Sequence, residues 1–337
     1  MNVKNFLKAI RRGPNFHLYV TIVVLVTAFY LLIGPRFFSP FNLFSMAYQL
    51  PMLGLLAMGM MVSVLSGGIN LSIVANANLN GIVIALMLRA MTGGQMAQAS
   101  IPIIIVACLV GLLSTIAVGL FNGLLIAKLN IPAILVTLGS MTLINGISIL
   151  LTRGFTISGF PRPLLALGND SFMGIPIAII ILLGVIILTH FILNRSSFGQ
   201  KLYMVGANQK ACLFSNVNVS RVIIIQYVFS ACFAFFTSIV MIGQLNSVRA
   251  GFMESFLLVA VLAVFLGGVD PKGGFGRLSG VILAAIILQV ISSGFNLLRL
   301  DAFLITAMWG GIVVIVLFAR DVTRIIMEKF KRKATSL

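Results

Sequence analysis

Residues 101–127 read IPIIIVACLVGLLSTIAVGLFNGLLIA, an unbroken apolar run without a single charged side chain. At 1.5 Å per residue a helix of this length reaches roughly 40 Å, more than the ~30 Å hydrocarbon core of a bilayer. A membrane leaves the backbone two solutions, helices or a closed barrel, and runs of about 20 apolar residues select helices over ten-residue alternating strands. The same reading extends outward from this run in both directions. Apolar runs between polar breaks fall at 16–34, 42–66, 71–92, 101–127, 131–152, 175–194, 222–246, 256–269, 279–298 and 302–319. The chain therefore reads as an all-α integral membrane protein of about ten transmembrane helices. The run at 256–269 is short for a full crossing and is either a span or a re-entrant segment.

Composition agrees. Hydrophobic residues make up 60% of the 337 and charged residues 9%, a balance no soluble domain of this size carries. The net charge of +17 comes from basic residues that gather between and beyond the runs. Membrane topology demands such a distribution, and it argues against nucleic acid as a partner. An even number of spans puts both termini on one side. With the amino terminus inside, 17 Lys and Arg lie inside and 6 outside, namely Arg36, Arg89, Arg153, Arg162, Arg249 and Arg299. This is the positive-inside bias, and it places both termini in the cytoplasm. The divisions are a basic amino terminus at 1–15, a single transmembrane unit at 16–320 and a basic tail at 321–337. A long inner loop runs from 195 to 221. Splitting the spans five and five would relate the halves by inversion, although their sequences show no similarity.

Six acids occur: Asp170, Glu254, Asp270, Asp301, Asp321 and Glu328. Each sits at an edge of the apolar runs or outside them, so the sequence shows no ion-coupling machinery within the membrane. Cys108, Cys212 and Cys232 have no paired spacing for a disulfide or metal site, and His190 has no acidic partner. No metal site, catalytic group or G-x-x-x-x-G-K-[ST] phosphate loop is present in the sequence, so energy for uphill transport is expected from another chain.

The breaks in the apolar pattern carry the candidate function. Gly67-Gly68-Ile69-Asn70-Leu71-Ser72 interrupts the second and third runs, and Asn76, Asn78 and Asn80 follow inside the third. On a helix Asn76 and Asn80 share a face and Asn78 points away; if the stretch is unwound all three can face one side. Amides at this depth must meet protein or water, so they either line a polar pathway or bond neighbouring helices. Gln49, beside Pro51, and Asn145 are candidates of the same kind, with Asn122, Thr137 and Gln289 as further buried polar positions. A neutral lining suits a neutral polar solute better than an ion. In the inner loop Asn208 is placed to cap a short amphipathic helix on which Ala211, Leu213 and Phe214 supply apolar surface. That helix either anchors at the interface or docks a soluble partner. A second glycine cluster, Gly267-Gly268 through Gly273-Gly274-Phe275-Gly276, forms a tight connection between the eighth and ninth runs.

These segments together resemble the membrane permeases of bacterial ATP-binding cassette importers of the ribose, xylose and galactose class. The matching stretches are Gly67 to Ser72, Asn130-Ile131-Pro132-Ala133 through Gly139, Phe198-Gly199 with Gly206-Ala207-Asn208, and Leu266-Gly267-Gly268 with Gly273 to Gly276. The resemblance implies a multi-pass protein of the bacterial inner membrane that binds no cofactor itself. ATP and Mg are implied on partner ATPase subunits, which would dock on a coupling helix at Gly206, Ala207, Asn208, Gln209, Lys210, Ala211 and Phe214. Further implied partners are a second permease subunit, identical or not, and a periplasmic substrate-binding protein, with membrane lipid around them. Such permeases usually carry Asp where this chain has Asn70, and commonly a Gly soon after Ser72, where this chain has Ile73 and Val74. The competing readings are a self-contained secondary transporter, a passive channel and a structural subunit.

Overall fold

A computed structural model describes residues 15–301, 303–316 and 318. Most of residues 1–15 and the tail 321–337 therefore lie outside the described residues. Among those described, eight helices are long and apolar enough to cross a membrane. They are α1 (Phe16–Ile33), α2 (Pro40–Leu65), α3 (Ile73–Met91), α4 (Ile101–Leu129), α5 (Ala133–Thr152), α7 (Ile177–Arg195), α10 (Val219–Leu245) and α12 (Leu278–Leu297). Two shorter apolar helices, α11 (Glu254–Leu266) and α13 (Phe303–Val316), coincide with the remaining two runs of the sequence. The architecture is that of an all-α, multi-pass membrane protein.

Local chemistry sets several boundaries. Ser39 caps α2, its Oγ accepting from the Asn42 amide at 3.3 Å, and Pro40 opens the helix where its missing N–H has no partner to lose. Asn130, Arg153 and Asn246 close α4, α5 and α10 in the left-handed conformation, which Asn adopts more readily than most residues.

The helices form an inner and an outer set. Of the most apolar window of α2, 83% is buried, against 11% for α1. Helices α2, α3, α10 and α12 make the centre, while α1, α4, α5 and α7 present long apolar faces outward. Two glycines permit the close approach of α4 to α10. A Cβ on Gly119 would lie 2.7 Å from the Tyr227 carbonyl, and one on Gly123 would lie 2.9 Å from the Ile224 Cα. Lipid provides no hydrophobic drive between helices, so dispersion contact at small residues holds such pairs together.

Several elements were not visible as apolar runs. A short helix α6 (Arg162–Asn169) lies in the connection between α5 and α7, with an exposed ion pair between Arg162 and Asp170 at 3.0 Å. Strand β1 (Ile157–Ser158) pairs antiparallel with β4 (Ser247–Val248), and β2 (Ser171–Phe172) with β3 (Ile175–Pro176). The connection between α7 and α10 contains two helices, α8 (Ser197–Ala207) and α9 (Gln209–Phe214).

The segment between α10 and α11 folds back along α3. Val248 packs over Gly81, and the Asn78 Nδ2 donates to the Phe252 carbonyl at 2.8 Å. Asn78 lies about 13 residues, or roughly 20 Å, from the Met91 end of α3. Glu254, which opens α11 two residues after Phe252, is thus carried into the layer spanned by its neighbours. Linear hydropathy reads 247–253 as a loop because Ser247, Arg249 and Gly251 break the apolar pattern there, whichever way the loop folds.

Candidate functional site

The site is built from the breaks between helices. After α2 ends at Leu65, Gly67 takes φ +85°, a left-handed conformation that glycine adopts at no steric cost. The turn places Asn70, 4% exposed, at the hub of a hydrogen-bonded network. The Asn70 Oδ1 accepts from the Ser72 amide at 3.2 Å and from the Ser72 hydroxyl at 2.7 Å, while its Nδ2 donates to Ser230 Oγ at 3.0 Å. Asn122 on α4 donates to Ser72 Oγ at 2.9 Å. Ser230 donates in turn to the Gly59 carbonyl at 2.9 Å. Next along α10, Gln226 donates to Ser63 Oγ at 2.9 Å and accepts from Ser66 Oγ at 3.0 Å. Thr137 at the start of α5 reaches the Ile69 carbonyl at 2.8 Å. One neutral, buried network therefore ties α2, α4, α5 and α10 to the turn at 67–72.

Ser63, Ser66, Gln226 and Ser230 went unnoticed in the sequence. Their signal was present as paired polar residues at helical spacing, Ser63 with Ser66 and Gln226 with Ser230, each within an apolar run.

Helix α3 is helical throughout, so the unwound arrangement of its three asparagines is not what the fold adopts. Asn76 and Asn80 both face α4: Asn76 donates to the Thr115 carbonyl at 3.3 Å, and the Asn80 oxygen lies against Gly111. Asn78 faces the opposite way, toward Phe252. All three are buried, and neither polar atom of Asn80 has a hydrogen-bond partner. Gln49 lies elsewhere, between α2 and α12, donating to Ser45 Oγ and accepting from Gln289. Asn145 on α5 donates to Glu254 Oε1 at 3.4 Å, and its own Oδ1 is buried without a partner.

Beneath the network, three glycine-bearing segments meet backbone to backbone. The Gly274 amide donates to the Leu65 carbonyl at 2.9 Å. A Cβ on Gly206, at the end of α8, would collide with that same carbonyl and with the Gly274 nitrogen. Gly273 lies equally close to Gly67, and the Tyr203 hydroxyl donates to the Gly276 carbonyl at 3.0 Å. Gly267 and Gly280 make a second contact of this kind between the end of α11 and the start of α12, with Gly268 at φ +84°. Burial raises the Tyr203 phenol above its ordinary pKa, and the charge of Arg277 opposes the shift.

Ala207 also packs against Gly274, and the chain then turns into α9. Asn208 caps this helix, its Oδ1 accepting from the Ala211 amide at 3.0 Å. Cys212 anchors α9 inward, whereas Leu213 is 66% and Phe214 93% exposed. Gln209 and Lys210 border a cavity of about 510 Å³ whose other walls include Ser66, Gly68, Asn130 and Tyr227. The buried Tyr227 hydroxyl has no hydrogen-bond partner and stands over Gly68. The geometry therefore joins α9, with its exposed Leu213 and Phe214, to the buried polar network through close backbone contacts. Among the described residues no cluster of His, Cys, Asp or Glu could hold a metal ion.

Comparison with known proteins follows this organisation. The chain is 29% identical over 305 residues to the ribose import permease protein RbsC of Bacillus subtilis (strain 168), covering 90% of each chain. It is 28% identical over 289 residues to the ribose import permease protein RbsC of Haemophilus influenzae, covering 85% of this chain and 86% of that one. Against the autoinducer 2 import system permease protein LsrD of Yersinia enterocolitica it is 25% identical over 294 residues, with 85% and 86% covered. No solved structure matches. The model of the family described as the branched-chain amino acid transport system, permease component, matches residues 42–319, a span that takes in the polar network, the glycine junction and α9 together. This chain belongs to that family of transport permeases.

Proposed function

We propose that the chain is the permease subunit of an ATP-binding cassette importer in a bacterial inner membrane. It moves a small neutral polar solute, a monosaccharide or related sugar, from periplasm to cytoplasm by alternating access. The ten apolar helices, including the short α11 and α13, all cross or enter the bilayer, and both termini are cytoplasmic. This topology puts α8 and α9 on the inner side, where partner ATPase subunits carrying ATP and Mg dock. A second permease copy, identical or related, completes the membrane part, and a periplasmic binding protein delivers the solute.

The observation that carries this reading is the continuity from Phe214, 93% exposed on α9, through the Gly206–Leu65–Gly274 junction to the Asn70 network. Coupling by an outside engine requires such a link: a place to push, a stiff transmission and a neutral polar interior. Neutral amides and hydroxyls exchange hydrogen bonds with sugar hydroxyls without the desolvation cost of an ion. The cavity bounded by Ser66, Asn130, Gln209 and Lys210 is the proposed release vestibule.

The family description names amino acids, whereas the relatives above are import permeases for ribose and autoinducer 2. Uptake of labelled ribose and of labelled leucine by the reconstituted complex separates these. Accumulation of ribose and not leucine is expected, and the reverse would overturn the sugar assignment.

A further inference from the structure

Glu254 is the acid that the fold carries furthest from where the sequence places it. It opens α11, a helix of 13 residues that cannot cross a bilayer alone, and it follows Met253 in the left-handed conformation. The segment before it is non-helical and held against α3 by the bond from Asn78 to Phe252, with Arg249 stacked over the Phe252 ring at 4.6 Å. Its partner Asn145 lies about seven residues, roughly 10 Å, below the outer end of α5. Irregular backbone and a carboxylate at this depth are tolerated only where they are buried in protein or line a water-filled cavity. Glu254 and the following Ser255 are both exposed on the chain. Hydrocarbon would reject these side chains, so they face water, a solute passing through it or the second permease copy, and of these only the first two leave them reactive to a water-soluble reagent. Interrupted helices with polar ends near the membrane midplane mark solute sites in transporters generally.

We infer that Glu254 and Asn145 form a solute-contact site for a neutral polyhydroxylated molecule on the permease pathway, with Asn78 as the positioning residue that holds Glu254 in place. The inference rests on the sugar-import reading above. A carboxylate accepts from two neighbouring hydroxyl groups at once, and the Asn145 Nδ2 beside it, already 3.4 Å from Glu254 Oε1, supplies a further N–H. The network around Asn70 offers no charged group, so Glu254 gives the pathway its one strong acceptor among the described membrane-depth residues.

The test uses the full importer in proteoliposomes. Glu254→Cys is expected to react with a water-soluble methanethiosulfonate reagent, and millimolar ribose is expected to slow that reaction. The wild-type chain, whose Cys108, Cys212 and Cys232 are buried or half-buried, serves as the control. No reaction at Glu254→Cys overturns the site, and so does a reaction that ribose leaves unchanged while wild-type ribose uptake is intact. Protection by leucine and not by ribose overturns the polyhydroxyl assignment. Glu254→Gln should retain assembly with the ATPase and lose uptake by at least about tenfold, the effect of one hydrogen bond to a charged group. Unchanged uptake in Glu254→Leu also overturns the site. Wild-type ribose uptake is scored separately, since its absence counts against the sugar reading and leaves the accessibility of position 254 to be judged by labelling.

Discussion

Asn70 donates its Nδ2 to Ser230 Oγ at 3.0 Å across a boundary of 160 residues in sequence, while its oxygen receives two bonds from Ser72. Both halves of the carboxamide are in use. A carboxylate at this position would keep the two bonds to its oxygen and lose the donor, and it would bring a charge to a residue only 4% exposed.

Asn70→Asp is therefore expected to destabilise the chain by at least about 2 kcal/mol, because a buried group would lose its partner and a charge its solvent. Thermal unfolding in detergent checks this. An equal or higher midpoint would mean that the network does not depend on a donor at position 70.

Gly206 is the narrowest point between the inner loop and α2. Gly206→Ala inserts a methyl group against the Leu65 carbonyl and the Gly274 nitrogen, an overpacking worth about 1–3 kcal/mol. The expected result is a complex in which the ATPase still binds and hydrolyses ATP while solute uptake falls. Parallel assays of hydrolysis and uptake measure it, and a proportional fall in both would show that the junction positions the ATPase rather than transmitting its motion.

Phe214 is nearly fully exposed and makes no contact that its own fold requires. Phe214→Asp should leave thermal stability within about 0.5 kcal/mol of wild type, as for other surface changes, and should weaken ATPase association by more than about tenfold if the side chain is an interface anchor. Co-purification with the ATPase is the measurement. Undiminished co-purification would move the docking surface away from α9.

Asn80 has two buried polar atoms without partners. The near-isosteric Asn80→Leu removes an unsatisfied amide, so stability should stay level or rise by about 1 kcal/mol while uptake falls if water or solute meets the amide during transport. Loss of stability would identify Asn80 as part of the packing of α3 on α4, with no part in the pathway.

Much of this was legible in the chain. The ten apolar runs match helices because hydropathy records a requirement of the bilayer that tertiary packing cannot override. The cap at Asn208 and the break at Gly67 were readable because each rests on local chemistry, a side-chain acceptor in one case and a positive φ in the other. Asn76 and Asn80 share a face as a helical period requires. What could not be read is long-range. Gln226 and Ser63 are 163 residues apart, and nothing local to either names the other. The depth of Glu254 was invisible for the same reason. A polar segment that ends an apolar run looks alike whether it stays at the surface or folds back along α3, and the bond from Asn78 to Phe252 decides which.

The most direct test of the account is uptake by the purified permease, ATPase and binding protein in proteoliposomes. Labelled ribose should accumulate only with Mg and hydrolysable ATP on the ATPase side, and an ion gradient alone should not drive it. Accumulation driven by an ion gradient with no ATPase present would contradict the account and make this chain a transporter with its own engine.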